Sequence, residues 1–149
     1  PTNPGNDIVF WSHYSDVSNE PLYPFGHGLS YANFEYSNLK LNATSIDKDA
    51  KLLVSFTLKN TGKYEGKEVV QLYLRDLVGS VTRPVKELKD FKMINLKPNE
   101  SQEVTFEISK ENLQYYTANN KWEVEPGDFK VFIGGSSKTT LEANFTVTE

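Results

Sequence analysis

Lys51-Leu52-Leu53-Val54-Ser55-Phe56-Thr57-Leu58-Lys59, followed by Asn60-Thr61-Gly62, is the stretch that decides the fold. Leu52, Val54, Phe56 and Leu58 recur at every second residue, with Lys51, Ser55, Thr57 and Lys59 among them. Successive side chains of an extended chain point to opposite faces, so this period describes a strand with one apolar and one wet face. Asn60-Thr61-Gly62 then supplies turn chemistry. The pattern recurs downstream. Val70, Leu72 and Leu74 alternate with Val69, Gln71, Tyr73 and Arg75, and here the second face is also partly apolar. Val104, Phe106 and Ile108 follow a Lys97-Pro98-Asn99-Glu100 turn. Phe129, Val131 and Ile133 are entered through Pro126-Gly127 and left through Gly134-Gly135, and Leu141, Ala143, Phe145 and Val147 close the series. Residues 34–46 read as one earlier strand, and residues 86–96 contain another with weaker alternation. Residues 109–113 suggest a single helical turn with Ser109 as its cap. About seven short strands, separated by turns and by gaps too short for parallel crossovers, predict an all-β antiparallel sandwich.

Working upstream, residues 1–31 have a different texture. Phe10, Trp11, Tyr14, Tyr23, Phe25 and Tyr31 sit among Pro21, Pro24 and Gly26-His27-Gly28, with no sustained period of 2 or 3.6. The prolines and glycines rule out a long helix. Disordered tails are poor in rings. This leader is therefore expected to lie across a surface, its own or a neighbouring domain's. The division implied is an extended leader over 1–31 and a sandwich over 32–149. The start, Pro1-Thr2-Asn3-Pro4-Gly5, is polar and lacks Met, as expected of a piece of a longer polypeptide.

Composition narrows the function classes. The chain has 149 residues and no cysteine, so neither disulfides nor a thiolate metal site is available. Acidic residues number 20 against 16 basic ones, and the densest basic stretch, Arg83 to Lys92, also holds Glu87 and Asp90. No cationic cluster suits a phosphate backbone, so nucleic acid is not an expected partner. No apolar run approaches the ~20 residues that span a bilayer. A nucleophile triad needs a histidine as base, and His13 and His27 have no Gly-x-Ser-x-Gly elbow beside them. Two isolated histidines do not make a zinc site, and no Gly-rich phosphate loop occurs, so no cofactor is expected. Glu123 and Glu125 share a strand face on this reading, with Trp122 and Val124 opposite. They then form the solvated side of that strand, not a buried acid and nucleophile pair. Trp122 is accordingly expected in the core, whereas Trp11 stays open between packing and sugar contact. Asn42-Ala43-Thr44, Asn99-Glu100-Ser101 and Asn144-Phe145-Thr146 fit the N-glycosylation pattern.

One run is peculiar enough to carry a resemblance. Pro21-Leu22-Tyr23-Pro24-Phe25-Gly26-His27-Gly28-Leu29-Ser30-Tyr31 resembles the junction between the second and last domains of family 3 glycoside hydrolases. Asn60-Thr61-Gly62, Glu68-Val69-Val70-Gln71-Leu72-Tyr73, Arg83-Pro84-Val85-Lys86-Glu87-Leu88 and Trp122-Glu123-Val124-Glu125-Pro126-Gly127 resemble that family's last domain. The resemblance implies an immunoglobulin-like, fibronectin type III-like sandwich. Ala32-Asn33 and Asp90 depart from the pattern, which has Thr-Thr and Gly there. Members are exo-acting retaining β-glucosidases or β-xylosidases, many exported to the periplasm or outside the cell. Their nucleophile belongs to an N-terminal barrel, and the acid/base commonly comes from the following α/β domain. No residue here matches those motifs, so no catalytic role carries over. The resemblance makes residues 1–31 the tail of the α/β domain. It also makes the barrel and that domain the partners within one polypeptide. Trp11, Tyr14, Tyr23, Phe25, His27, Tyr31, Arg83, Lys86 and Glu87 become candidates for the interdomain interface, and Trp11 a candidate for oligosaccharide contact. A carbohydrate-binding module and a free-standing adhesion-type sandwich stay open as alternatives.

Overall fold

A computed structural model describes residues 20–81 and 83–149; Trp11 and Tyr14 lie outside them. The described chain runs β1 (Phe34–Leu41), β2 (Ser45–Asp47), β3 (Leu52–Asn60), β4 (Gly66–Asp76), β5 (Glu87–Leu96), β6 (Ser101–Ile108), α1 (Lys110–Leu113), β7 (Tyr115–Tyr116), β8 (Trp122–Glu123), β9 (Gly127–Gly134) and β10 (Leu141–Thr148). The sandwich pairs a three-stranded sheet, β1-β3-β6, with a five-stranded sheet, β2-β10-β9-β4-β5, and β7-β8 form a separate ribbon. The immunoglobulin-like expectation is borne out.

The alternating residues do what their period requires. Leu52, Val54, Phe56 and Leu58 from β3 are buried, and so are Val104, Phe106 and Ile108 from β6. They meet Val70, Leu72 and Leu74 of β4, Phe129, Val131 and Ile133 of β9, and Phe145 and Val147 of β10 in one core. Each such side chain taken from water contributes about 1.5–3 kcal/mol, which is why two faces of modest length close without covalent help. Rings stack through the core, Phe56 on Phe106 at 6.1 Å between centroids and Phe129 on Phe145 at 5.5 Å.

Asn60 ties three segments at one end. Its Nδ2 donates to Tyr64 O at 2.8 Å and Leu96 O at 3.0 Å, and its Oδ1 accepts from Gly62 N at 2.9 Å. The turn predicted at residues 97–100 closes through Glu100 N donating to Lys97 O at 3.0 Å, with Asn99 in the left-handed region at φ 64°. Ser109 begins α1, and its N–H donates to Asn112 Oδ1 at 2.9 Å.

Three expectations need correction. Residues 34–46 are not one strand: β1 belongs to the three-stranded sheet and β2 to the five-stranded sheet. The break is held where Leu53 N donates to Asn42 Oδ1 and Thr146 N donates to Thr44 O. The sandwich is also not wholly antiparallel, because β2 pairs with β10 in parallel; the chain between them is easily long enough for a parallel crossover. Finally, Trp122 is 64% exposed rather than in the core. It sits in a two-residue strand paired only with β7, so its alternation with Val124 never becomes a sandwich face. Glu125 lies beyond that strand, so it does not share a strand face with Glu123.

Candidate functional site

The outer face of the five-stranded sheet holds the first feature. Gln71 and Tyr73 alternate with the core residues of β4, and Phe132 pairs opposite Tyr73 on β9. All three point away from the core, yet they are 4%, 2% and 5% exposed. Their cover is the leader and the 83–88 loop. Gly26 adopts φ +77°, and a Cβ there would stand 2.5 Å from Gln71 Oε1. Only glycine combines that backbone with that approach. Gln71 is itself fixed, its Nε2 donating to Gly135 O at 2.7 Å and its Oε1 accepting from Tyr73 OH. Lys86 covers Phe132, its Nζ 4.2 Å from the ring centroid.

The loop between β9 and β10 joins the two covers. Ser137 N donates to Phe25 O at 2.8 Å. Lys86 Nζ donates to Ser137 O at 3.1 Å and to Thr139 Oγ1 at 2.9 Å. One residue, Ser137, thus bridges two segments that are far apart in sequence. Burial holds the Lys86 ammonium below its ordinary pKa.

On its outward side the leader is apolar. Leu22, Tyr23, Phe25, Leu29 and Tyr31 are 87%, 68%, 67%, 95% and 92% exposed. Tyr23 stacks on His27 at 5.2 Å between centroids, and His27 N donates to Pro24 O at 3.0 Å. At its far end Ala32 is buried. Thr61 N donates to Asn33 O at 2.8 Å, and a Cβ on Gly66 would collide with Ala32. Behind the leader runs a cleft of about 320 Å³ lined by His27, Leu29, Lys67, Glu68 and Gly135 among others. There Tyr36 OH donates to Glu68 Oε1 at 2.6 Å. Burial pushes both groups above their ordinary pKa, the Tyr36 bond only partly offsetting it at Glu68.

Arg83 and Glu87 are placed differently from Lys86. Arg83 Nη2 is 2.8 Å from Glu87 Oε2, its Nη1 is 3.6 Å from Asp76 Oδ2, and its guanidinium lies 4.3 Å from the centre of the Tyr115 ring. Lys89 Nζ adds a second contact to Glu87 Oε2 at 2.7 Å. The two heads are thus partnered within the chain, and they hold the 83–88 loop rather than reach outward. Burial works to raise the Glu87 carboxyl, but the Lys89 and Arg83 hydrogen bonds outweigh it and hold it low. Burial wins at Asp76, which is raised despite Val78 N–H and Arg83. Ser80 links this network to Glu125, donating from Oγ at 2.6 Å and from N at 3.0 Å. Asp90, which stands where the resembling pattern has Gly, lies within β5 beside the register shift between Leu72 and Tyr73.

The comparisons decide the family at this point. Residues 68–137 match the model of the fibronectin type III-like domain. The chain carries a fibronectin type III-like domain. It is 43% identical over 145 residues to the periplasmic β-glucosidase of Salmonella typhimurium, covering 97% of this chain and 19% of that protein. A putative β-xylosidase of Formosa agariphila is 45% identical over 139 residues, covering 93% of this chain and 18% of that one. The crystal structure of a Listeria innocua β-glucosidase with glucose superimposes with a TM-score of 0.88 at 39% identity, covering all of this chain and 21% of the other. The chain therefore spans about a fifth of the length of the relatives it matches. The resemblance read from the leader motif and the four downstream segments is borne out. Among the described residues no group of three or more His, Asp or Glu is gathered to hold a metal.

Sequence reasoning named the leader rings, Lys86 and the Arg83–Glu87 pair, but it missed Ser137, Gln71 and Phe132. The signal was present in the partly apolar second face of β4. An apolar outer face is unexplained until something covers it.

Proposed function

We propose that the chain is the non-catalytic C-terminal accessory domain of a larger family 3 glycoside hydrolase. The parent would be an exo-acting retaining β-glucosidase or β-xylosidase, exported to the periplasm or the exterior. Residues 32–149 form the sandwich, and residues 1–31 belong to the tail of the preceding α/β domain. The leader and the 83–88 loop pack against the catalytic domains, stabilise them and shape the rim of their cleft.

One observation carries the reading. Five large apolar side chains between residues 22 and 31 stand in solvent on a segment whose other side is fixed to the sheet. Apolar patches of that kind mark interaction surfaces, whereas single exposed residues do not. The relatives' length supports it too, since roughly four-fifths of each lies outside the match. Tyr23, Phe25, His27 and Tyr31 supply the contact, with Lys86 holding the surface beneath them; Arg83 and Glu87 set the loop's shape.

Differential scanning calorimetry of the parent polypeptide with and without residues 1–149 tests the proposal. The reading expects a lower melting temperature and reduced glycosidase activity on removal. Unchanged melting and unchanged activity together would sink it.

A further inference from the structure

Trp122 and Tyr116 present the second feature, away from the leader. They are 64% and 53% exposed and meet edge to face, with centroids 5.7 Å apart and planes at 65°. The turn joining them is stiff. Thr117 N donates to Lys121 O at 2.9 Å, Asn120 N donates to Thr117 O at 3.0 Å, and Asn120 takes φ 59°. Thr117 Oγ1 also reaches Glu123 Oε2 at 3.3 Å. The turn thus fixes the backbone that carries both rings. Beside them opens a cleft of about 530 Å³, lined by Glu87, Lys89 and Gln114 as well as the rings. That volume falls in the range of small-molecule sites.

The lining selects the ligand. Arg83 and Lys89 line the cleft and both pair with Glu87, and Arg83 pairs also with Asp76 outside the lining, so neither cation is left without a carboxylate partner. A neutral ligand suits such a cleft better than a charged one. A pyranose has what the cleft asks for. Its axial C–H face covers an aromatic ring, and its hydroxyls bond to ammonium and amide groups held at the edge.

We propose that the β7–β8 ribbon and the adjoining flank of β5 form a binding site for a neutral pyranose sugar or short oligosaccharide. Trp122 is the stacking platform, Tyr116 props it, and Lys89 and Gln114 supply the polar contacts. The site is distinct from Trp11, the sugar contact expected from sequence, and it goes beyond the accessory-domain reading.

The test follows the two indole N–H resonances of the 149-residue chain, which holds two tryptophans. Cellobiose, xylobiose and laminaribiose are titrated in turn, with glycerol as a polyol that has no ring face. The Trp122 signal, assigned by Trp122→Ala, should move saturably with at least one disaccharide, with a Kd on the order of 1 mM. Trp122→Ala should weaken binding about ten-fold, the scale of one lost stacking contact. Lys89→Ala should weaken it by a smaller factor while leaving both indoles in place. The ribbon lies outside the two-sheet core, so circular dichroism should be unchanged; Tyr116→Ala repeats the test should Trp122→Ala misfold. A Trp122 signal that stays fixed overturns the proposal, as does one that moves equally with glycerol or a disaccharide response confined to Trp11. Silence here leaves leader docking intact, and failed docking leaves this titration unaffected, so the two readings fall separately.

Discussion

Replacing Asn60 with alanine should be among the costliest polar substitutions in the described chain. Asn60 has no solvent exposure. Its side chain satisfies the Gly62 N–H and the Leu96 and Tyr64 carbonyls at 2.9, 3.0 and 2.8 Å. Alanine fills neither role. The bonds at Gly62 and Leu96 are buried, and each polar group stranded without water costs about 1–3 kcal/mol. Tyr64 O is nearer the surface and finds water, so it adds little. At about 1.5 kcal/mol for each of the two buried groups the sum is about 3 kcal/mol, a large share of the roughly 5–15 kcal/mol that holds a domain together. In a chain of this size that corresponds to a fall in Tm of about 6–12 °C. Urea unfolding followed by tryptophan fluorescence measures it. Thr61→Ala is the comparison: Thr61 is exposed and its hydroxyl makes one long bond of 3.3 Å to Asn33 O, so the loss should stay within about 0.5 kcal/mol. A deficit below about 1 kcal/mol for Asn60→Ala, or equal losses for both variants, would refute the assignment of Asn60 as the tie between β3, β4 and β5.

Gly26→Ala forces a side chain into the left-handed region and against Gln71; strain of about 1–3 kcal/mol should free the leader locally. Limited proteolysis would then cut between residues 20 and 31 faster while the sandwich keeps its Tm. Lys86→Ala removes two charge-assisted hydrogen bonds and the cation over Phe132. The expected loss is about 1–3 kcal/mol by chemical denaturation. Arg83→Ala should destabilise by about 3 kcal/mol at neutral pH, because it leaves Asp76 buried without its cation. The pH dependence has a defined sign. Asp76, raised in the fold, binds its proton more tightly folded than unfolded, so falling pH favours the folded state at that group. Glu87, held low, stabilises the fold above the ordinary glutamate range and loses that contribution as pH falls. Removing Arg83 worsens the first and cancels part of the second, so the deficit should be largest near neutrality and shrink as pH falls through the carboxylate range. A deficit that grows on acidification would contradict it.

How much was legible in the sequence depended on whether one segment or several set the outcome. Leu52, Val54, Phe56 and Leu58 declare their face by local alternation and are buried as read, whereas Ile46, Leu96 and Leu113 also join the core without a clear alternation to mark them. Trp122 was misread because two-residue alternation looks the same in a sandwich strand and in a short ribbon. Only the pairing partner, Tyr116, distinguishes them, and no local rule names it. The break at Asn42 escaped for the same reason: its hydrogen bond is to Leu53, eleven residues on. In the candidate interface the leader rings stood out through their crowding among prolines and glycines. The bridge through Ser137 did not, since a serine in a Gly-Gly-Ser-Ser loop carries no sign that Phe25 and Lys86 will meet there. The charges of Arg83 and Glu87 were visible four residues apart, but Asp76 and Tyr115, which absorb them, come from elsewhere in the chain.

Hydrogen–deuterium exchange, compared between the isolated 149-residue chain and the same residues within the parent polypeptide, tests the docking claim most directly. Slower exchange in the parent confined to residues 22–31, 83–88 and 134–140 is the result this account predicts. Protection over the outer face of β1, β3 and β6 instead, or no difference anywhere, would contradict it.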